Sequence, residues 1–198
     1  MPIMPNMTDA VNWSLYDRVV TAAGANTLPL YVFYSIPMNT GGKTKNDTNL
    51  EQVQRLPDPE WMNVTHLGFY FTGNMVKADI DNFINSYYME FWVGQKIYAE
   101  GPLVKFPSGV GITGATTRNN EGAWTNGVPM NTNMTDLRLP LGIANSDGYT
   151  GITILQGQQF QVRLIGTAFA LSAAAAPNNG TGLNLMCFAD GIKSRGVQ

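Results

Sequence analysis

Tyr87-Tyr88-Met89-Glu90-Phe91-Trp92-Val93-Gly94-Gln95-Lys96-Ile97-Tyr98-Ala99-Glu100 is the stretch that decides the fold. Aromatic and β-branched residues crowd Tyr87 to Val93, and such side chains suit a pleated, half-buried surface. Gly94-Gln95 then supplies a turn, and Lys96 to Glu100 resumes an extended pattern before Gly101-Pro102 interrupts it. Two short extended runs joined by two residues predict an antiparallel hairpin.

Outward from this hairpin the pattern repeats. Leu28 to Ile36 reads as an aromatic strand stopped by Pro37, and Trp61 to Thr72 as a strand with Val64, Leu67, Phe69 and Phe71 as its inner residues. After the hairpin, Asp136 to Ile143 alternates Leu137, Leu139 and Leu141 against Arg138, Pro140 and Gly142, although the proline argues for an edge or a bulge. Thr150 to Leu155, Gln158 to Leu171 and Gly182 to Ala189 follow, the second with Phe160, Val162 and Leu164 at alternate positions. Lys77 to Asn85 differs. Ile80, Phe83 and Ile84 fall on one helical face, with Asp79 placed to cap it. Near the start, Val11, Leu15, Val19 and Ala22 recur at helical spacing between Thr8 and Gly24, which predicts a helix over 8–23.

About eight strands bounded by Gly, Pro and Asn, with one short helix between the second and third, predict an all-β domain. The expected architecture is an eight-stranded jelly-roll sandwich of two Greek-key sheets over residues 27–198, preceded by an N-terminal arm over 1–26. Residues 37–60 form a long polar connection. Residues 105–135 form a second long loop, with short strands expected near Val110–Ile112.

Composition bears on function. The chain has 198 residues, is 44% hydrophobic and only 13% charged, and carries a net charge of −2. Soluble domains usually hold nearly twice that charged fraction, so much of the surface is expected to face other protein. No run of Lys or Arg provides the basic footprint of a nucleic-acid binder. The single cysteine, Cys187, lies in the apolar run Leu183 to Phe188 and is read as a buried thiol.

Enzymatic motifs are scarce. Gly41-Gly42-Lys43-Thr44 resembles the end of a phosphate-binding loop, but the glycine that loop needs five residues before Gly42 is Pro37 here. His66 is the only histidine, so neither a histidine-rich metal cluster nor a convincing nucleophile–base pair can be assembled. The acidic pairs Asp58/Glu60, Asp79/Asp81 and Glu90/Glu100 are better explained by turns, a helix dipole and a hairpin than by paired-acid catalysis. No catalytic residue, metal or cofactor is assigned. Trp13, Tyr16 and Trp124 are the candidate subunit-interface residues, because they sit in the two segments of least internal periodicity.

Three stretches carry a family resemblance. They are Leu30–Ile36 leading into Lys43-Thr44-x-x-Asp47-Thr48-Asn49-Leu50, then Leu56-Pro57-Asp58-Pro59, then the hairpin from Tyr88 to Leu103. Together they resemble the single jelly-roll capsid proteins of tailless icosahedral viruses of bacteria and archaea. The resemblance implies a virion protein whose upright subunits join into capsomers with copies of themselves and with a second capsid protein. It also implies a shell that often overlies an internal membrane, which would separate coat from genome and agree with the missing basic arm. A carbohydrate- or receptor-binding jelly roll, spike or lectin-like, is the alternative that shares the fold.

Overall fold

The computed structural model describes residues 10–71, 77–106, 115–117, 123–125, 135–137, 150–172 and 182–194. Among them are eleven strands and one α-helix, in the order β1 (Ala10–Thr21), β2 (Leu30–Phe33), β3 (Trp61–Phe71), α1 (Lys77–Ser86), β4 (Tyr87–Val93), β5 (Lys96–Pro102), β6 (Ala115–Thr117), β7 (Ala123–Thr125), β8 (Thr135–Asp136), β9 (Ile152–Ile154), β10 (Phe160–Gly166) and β11 (Leu183–Ser194).

The strands form two principal antiparallel sheets. The first runs β1-β11-β3-β8, with β9 also paired to β3, and the second runs β2-β10-β4-β5. A separate ribbon joins β6 to β7. With β8 and β9 counted as one position and the ribbon set aside, the pairings are nested. The first strand lies beside the last, the second beside the next to last, the third beside β8 and β9, and the fourth beside the fifth.

One hydrophobic core lies between the sheets. Alternate residues of β4 (Tyr87, Met89, Phe91, Val93) and of β10 (Phe160, Val162, Leu164) are buried, as period two demands when one face of a sheet is covered. Phe33 of the second sheet meets Phe69 of the first edge-on, with ring centroids 5.6 Å apart. The helix adds Phe83, which stacks on Tyr87 at 4.0 Å and meets Phe71 edge-on at 6.0 Å. Ile80, Phe83 and Ile84 are all buried, so the helical face read from the sequence is the one that packs. Truncating a core ring such as Phe83 to alanine costs roughly 3–5 kcal/mol.

Several expectations are corrected. The helix expected over 8–23 is strand β1, paired residue by residue with β11 from Ala10 opposite Ser194 to Thr21 opposite Leu183. Val11, Leu15 and Val19 are four apart and therefore fit a helix, but they also share one face of a strand. A buried Asp17 occupies the same face and disguises the period of two. Most of the segment read as an arm over 1–26 is accordingly strand and close turn rather than helix, while residues 1–9 lie outside the described residues. The strand β1 also moves the helix, which falls between the third and fourth strands. The strand expected over Gln158–Leu171 ends at Gly166, and that over Asp136–Ile143 is described only as Thr135–Asp136. The region near Val110–Ile112 lies outside the described residues, but the β6–β7 ribbon occupies part of the expected loop.

Asp79 does not cap the helix. It lies within the first turn, and its carboxylate accepts hydrogen bonds from the Ser172 amide (3.0 Å) and hydroxyl (2.9 Å), tying down the chain after β10.

Candidate interaction surface

Outward-facing positions of the second sheet form cross-strand rows. Leu30 of β2 is opposite Ile165 of β10, Ile165 is opposite Tyr88 of β4, and Tyr88 is opposite Pro102 of β5. Leu30, Ile165 and Tyr88 are 45%, 40% and 39% exposed, so an apolar row crosses the sheet on the side away from the core. The next row is Val32, Arg163, Glu90 and Glu100. Glu90 and Glu100 are directly opposite, as the hairpin reading anticipated, and Arg163 lies on the other side of Glu90. Trp92 ends this face. Its indole N–H donates to Glu90 Oε2 at 2.6 Å, and the Arg163 guanidinium lies 4.8 Å from its ring. At the β5 edge, Ile97 and Tyr98 are exposed as well.

The opposite edge carries an ionic cluster. Asp17 of β1 is fully buried and accepts the Tyr34 amide at 2.6 Å and the Lys43 ammonium. Arg18 pairs with Asp47, and Asp47 Oδ2 also accepts the amide and hydroxyl of Thr44, each at 2.8 Å. Burial raises the Asp17 pKa, opposed by Lys43, whereas hydrogen bonding from the Thr44 amide lowers that of Asp47. The Thr48 hydroxyl donates to Tyr16 O and the Asn49 side chain donates to Ser14 O, at 3.0 and 2.7 Å. These loop residues, Lys43 to Asn49, fasten the connection between β2 and β3 against the free edge of β1. The loop Gly41-Gly42 has φ of 59° and 80°, which glycine adopts without penalty. Lys43 points to a carboxylate inside the protein.

Between β1 and β2 lies a groove of about 420 Å³, lined by Arg18, Val20, Leu28, Leu30, Ile36 and Lys43 among others. Val20 and Leu28 are 60% and 54% exposed.

Of the interface residues expected from sequence, Trp13 and Tyr16 do not converge. Trp13 and Tyr16 are three apart on an extended strand and so face opposite sides. Trp13 is half-buried against the core, with the Lys193 ammonium 4.6 Å from its ring, and Lys193 is itself paired with Glu60 at 2.6 Å. The Tyr16 hydroxyl donates to Lys45 O at 2.6 Å, and its amide donates to Asn49 Oδ1 at 2.9 Å. Both therefore serve contacts within the chain. Trp124 lies on β7 opposite Thr116 of β6. Leu30, Tyr88 and Ile165, which form the exposed apolar row, were not among the candidates read from the sequence. The available signal was that Leu30-Tyr31-Val32-Phe33 is apolar at both alternating positions, which marks a strand with cover expected on both faces.

Thr65 Oγ1 lies 2.9 Å from His66 Nδ1. Cys187 is fully buried, and burial pushes its thiol pKa far upward. Among the described residues no group of three His, Cys, Asp or Glu is placed to hold a metal ion, and no helix is long and apolar enough to cross a membrane. What the architecture defines is a mostly β protein built on two principal antiparallel sheets, one of which carries an exposed apolar row beside a charged one. The chain matches no protein-family model, no curated protein and no solved structure.

Proposed function

We propose that the sandwich is a jelly roll and that the chain is a structural subunit of a viral capsid, assembling with copies of itself into capsomers of an icosahedral shell. The nested strand pairing supports the jelly roll, because two Greek keys folded over one another bring the same strands side by side. The observation that carries the assembly reading is the exposed row Leu30–Ile165–Tyr88–Pro102 on a face the core does not need. Contiguous apolar surface rimmed by polar groups marks a protein contact more often than an idle surface. The low charge of the chain agrees, since contact cores are depleted in charge. A face used against a different face of the next copy closes into a ring when the rotation allows. A second capsid protein is the other partner this reading admits. Direct contact with nucleic acid is not part of it, and a membrane beneath the shell is. The activity is assembly, with no catalytic step.

The test is electron microscopy and sedimentation of the purified chain beside Tyr88→Glu and Ile165→Glu. The wild type is expected to form rings or larger particles as concentration rises. Both variants should keep their thermal transition, because these side chains face away from the core, and should stay monomeric. A wild-type chain that remains monomeric at high concentration, or variants that assemble normally, would end the reading. So would a chain that stays a fixed small oligomer and binds glycans.

A further inference from the structure

We infer that the depression around a bulge in β3, on the outer side of the first sheet, binds an organic cation that donates hydrogen bonds, a guanidinium or primary ammonium group. His66 of β3 is opposite Asp190 of β11, and Val64 is opposite Gly191, so Thr65 is an extra residue without a partner across the ladder. A bulge re-aims side chains, and bulges are over-represented beside functional sites. Here Thr65 and His66 both line one depression of about 530 Å³, together with Asp190 and with Asn12 and Ser14 of β1. Ser14 is exposed and opposite Asp190, and on the other flank His66 is opposite Asp136 of β8. One row therefore reads Ser14, Asp190, His66, Asp136, with the histidine between two carboxylates. The neighbours Leu15, Ala189 and Leu67 are buried in the core, so this row faces away from it.

Two groups of the row lack donors. Asp190 Oδ1 is sealed from solvent without a hydrogen-bond partner, and among the described residues Asp190 makes no ion pair. The Lys193 ammonium, three residues on, is held by Glu60. His66 is the other. The Thr65 hydroxyl lies 2.9 Å from His66 Nδ1 and 3.2 Å from Asp190 O. That hydroxyl has one proton, and the carbonyl can only accept. Both contacts are hydrogen bonds at once only when Nδ1–H donates to the hydroxyl and the hydroxyl donates to the carbonyl. The network thus assigns the proton of a neutral imidazole to Nδ1 and leaves Nε2 as an acceptor. Among the described residues, no hydrogen bond engages Nε2.

The ligand chemistry follows from the charge and the missing donors. Two carboxylates and an imidazole acceptor make a negative, acceptor-rich surface, and among the described residues no three such groups are placed to hold a metal ion. A guanidinium or ammonium group brings the opposite charge and several N–H donors together. Hydrogen bonds between such groups and a carboxylate are the strong kind. An anion is repelled here, and a neutral polyol leaves the carboxylate charge unmatched. The site lies on the first sheet and the row Leu30–Ile165–Tyr88 on the second, so it stands or falls apart from the assembly reading.

Because His66 is the only histidine, the isotope-labelled full-length chain gives one pair of imidazole nitrogen signals by NMR. At about pH 8, above the ordinary histidine range, they should report the Nδ1–H tautomer. Ethylguanidinium chloride, titrated at constant ionic strength, should then shift the Nε2 signal to saturation. Tetramethylammonium chloride, a cation without N–H, and methyl glucoside, a neutral polyol, should not. Asp190→Asn should weaken ethylguanidinium binding roughly tenfold, the loss of one charge-assisted hydrogen bond. The Nε2–H tautomer, a shift that never saturates, saturation by tetramethylammonium or by the sugar as readily as by ethylguanidinium, or unchanged affinity in Asp190→Asn would each overturn the inference. The tautomer and the three titrations need only the wild-type chain, so they decide the matter even if the variant fails to fold.

Discussion

The carboxylate of Asp17, on the edge strand of one sheet, accepts the backbone N–H of Tyr34, just past the edge strand of the other, at 2.6 Å. This bond and the Lys43 ammonium clamp the two layers at the side where, among the described residues, no further strand joins them. Tyr34 is held there with φ of 63°, an unusual conformation for a bulky residue. Its ring is fully buried against Phe160 at 5.4 Å, and its hydroxyl donates to Leu15 O at 3.3 Å. The surrounding contacts therefore hold a backbone conformation that costs of order 1–3 kcal/mol.

Removing one partner of the clamp should be severe. Asp17→Ala is expected to lower stability by about 3 kcal/mol, because it leaves the buried Tyr34 N–H without its acceptor and Lys43 without its counter-ion. Denaturant unfolding at neutral pH measures this.

The pH dependence separates Asp17 from Asp47. The Asp17 pKa is raised in the folded state, mainly by burial, so its contribution is fullest below the ordinary carboxylate value of 3.8 and is lost as pH rises through the raised pKa. The Asp47 pKa is lowered, mainly by the Thr44 amide, so its contribution is present above that value and lost as pH falls through the lowered pKa. In Lys43→Met, Asp17 keeps its burial without its cation. The deficit of this variant against wild type should shrink as pH is lowered from about 7 to about 4, where the buried carboxyl takes up a proton. Urea midpoints at the two pH values test it, and a deficit that grows on acidification would contradict the assignment.

Gly191 should tolerate no side chain. A Cβ built there would fall 1.9 Å from Asn63 O, on the strand that β11 pairs with. Gly191→Ala must therefore push β11 and β3 apart where the register already shifts, between Asp190 and Gly191. A loss of roughly 2–3 kcal/mol is expected by thermal or urea unfolding.

Cys187 should be inert. Full burial and a strongly raised pKa leave almost no thiolate at neutral pH. Thiol reagents should label the native chain only at its unfolding rate, and fast stoichiometric labelling would show that the core opens locally.

Assembly should depend weakly on salt, since the outer row contributes apolar contact rather than ion pairs. Sedimentation from low to moderate ionic strength checks this. Particles that dissociate over that range would point instead to Arg163, Glu90 and Glu100 as the contact.

The parts of the fold legible in the sequence were those whose residues obey one period. Tyr87–Val93 was read with the bounds it has, because one face of the strand is buried throughout. The helix Lys77–Ser86 was recognisable because Ile80, Phe83 and Ile84 carry its buried apolar face. The strand β1 was not, since burying Asp17 among hydrophobic neighbours makes sense only once Lys43 and the Tyr34 amide are brought to it from elsewhere in the chain. The surface row was hidden for a related reason. Leu30, Ile165 and Tyr88 are far apart in sequence, and only cross-strand register makes them neighbours. Trp13 and Tyr16 were singled out for lying in a segment of low internal periodicity, and the contacts each makes within the chain come from residues distant in sequence.

Nesting the strands imposes an order on synthesis. Ala10 has no ladder partner until Ser194 exists, so β1 leaves the ribosome long before the strand that completes its sheet. The β4–β5 hairpin can zip early and locally, while the outermost pair must wait for the widest loop to close, the slow step of high-contact-order folds. During that interval the apolar side of β1 is exposed to other nascent chains, which makes translation speed and chaperone access determinants of how much folded protein a cell obtains.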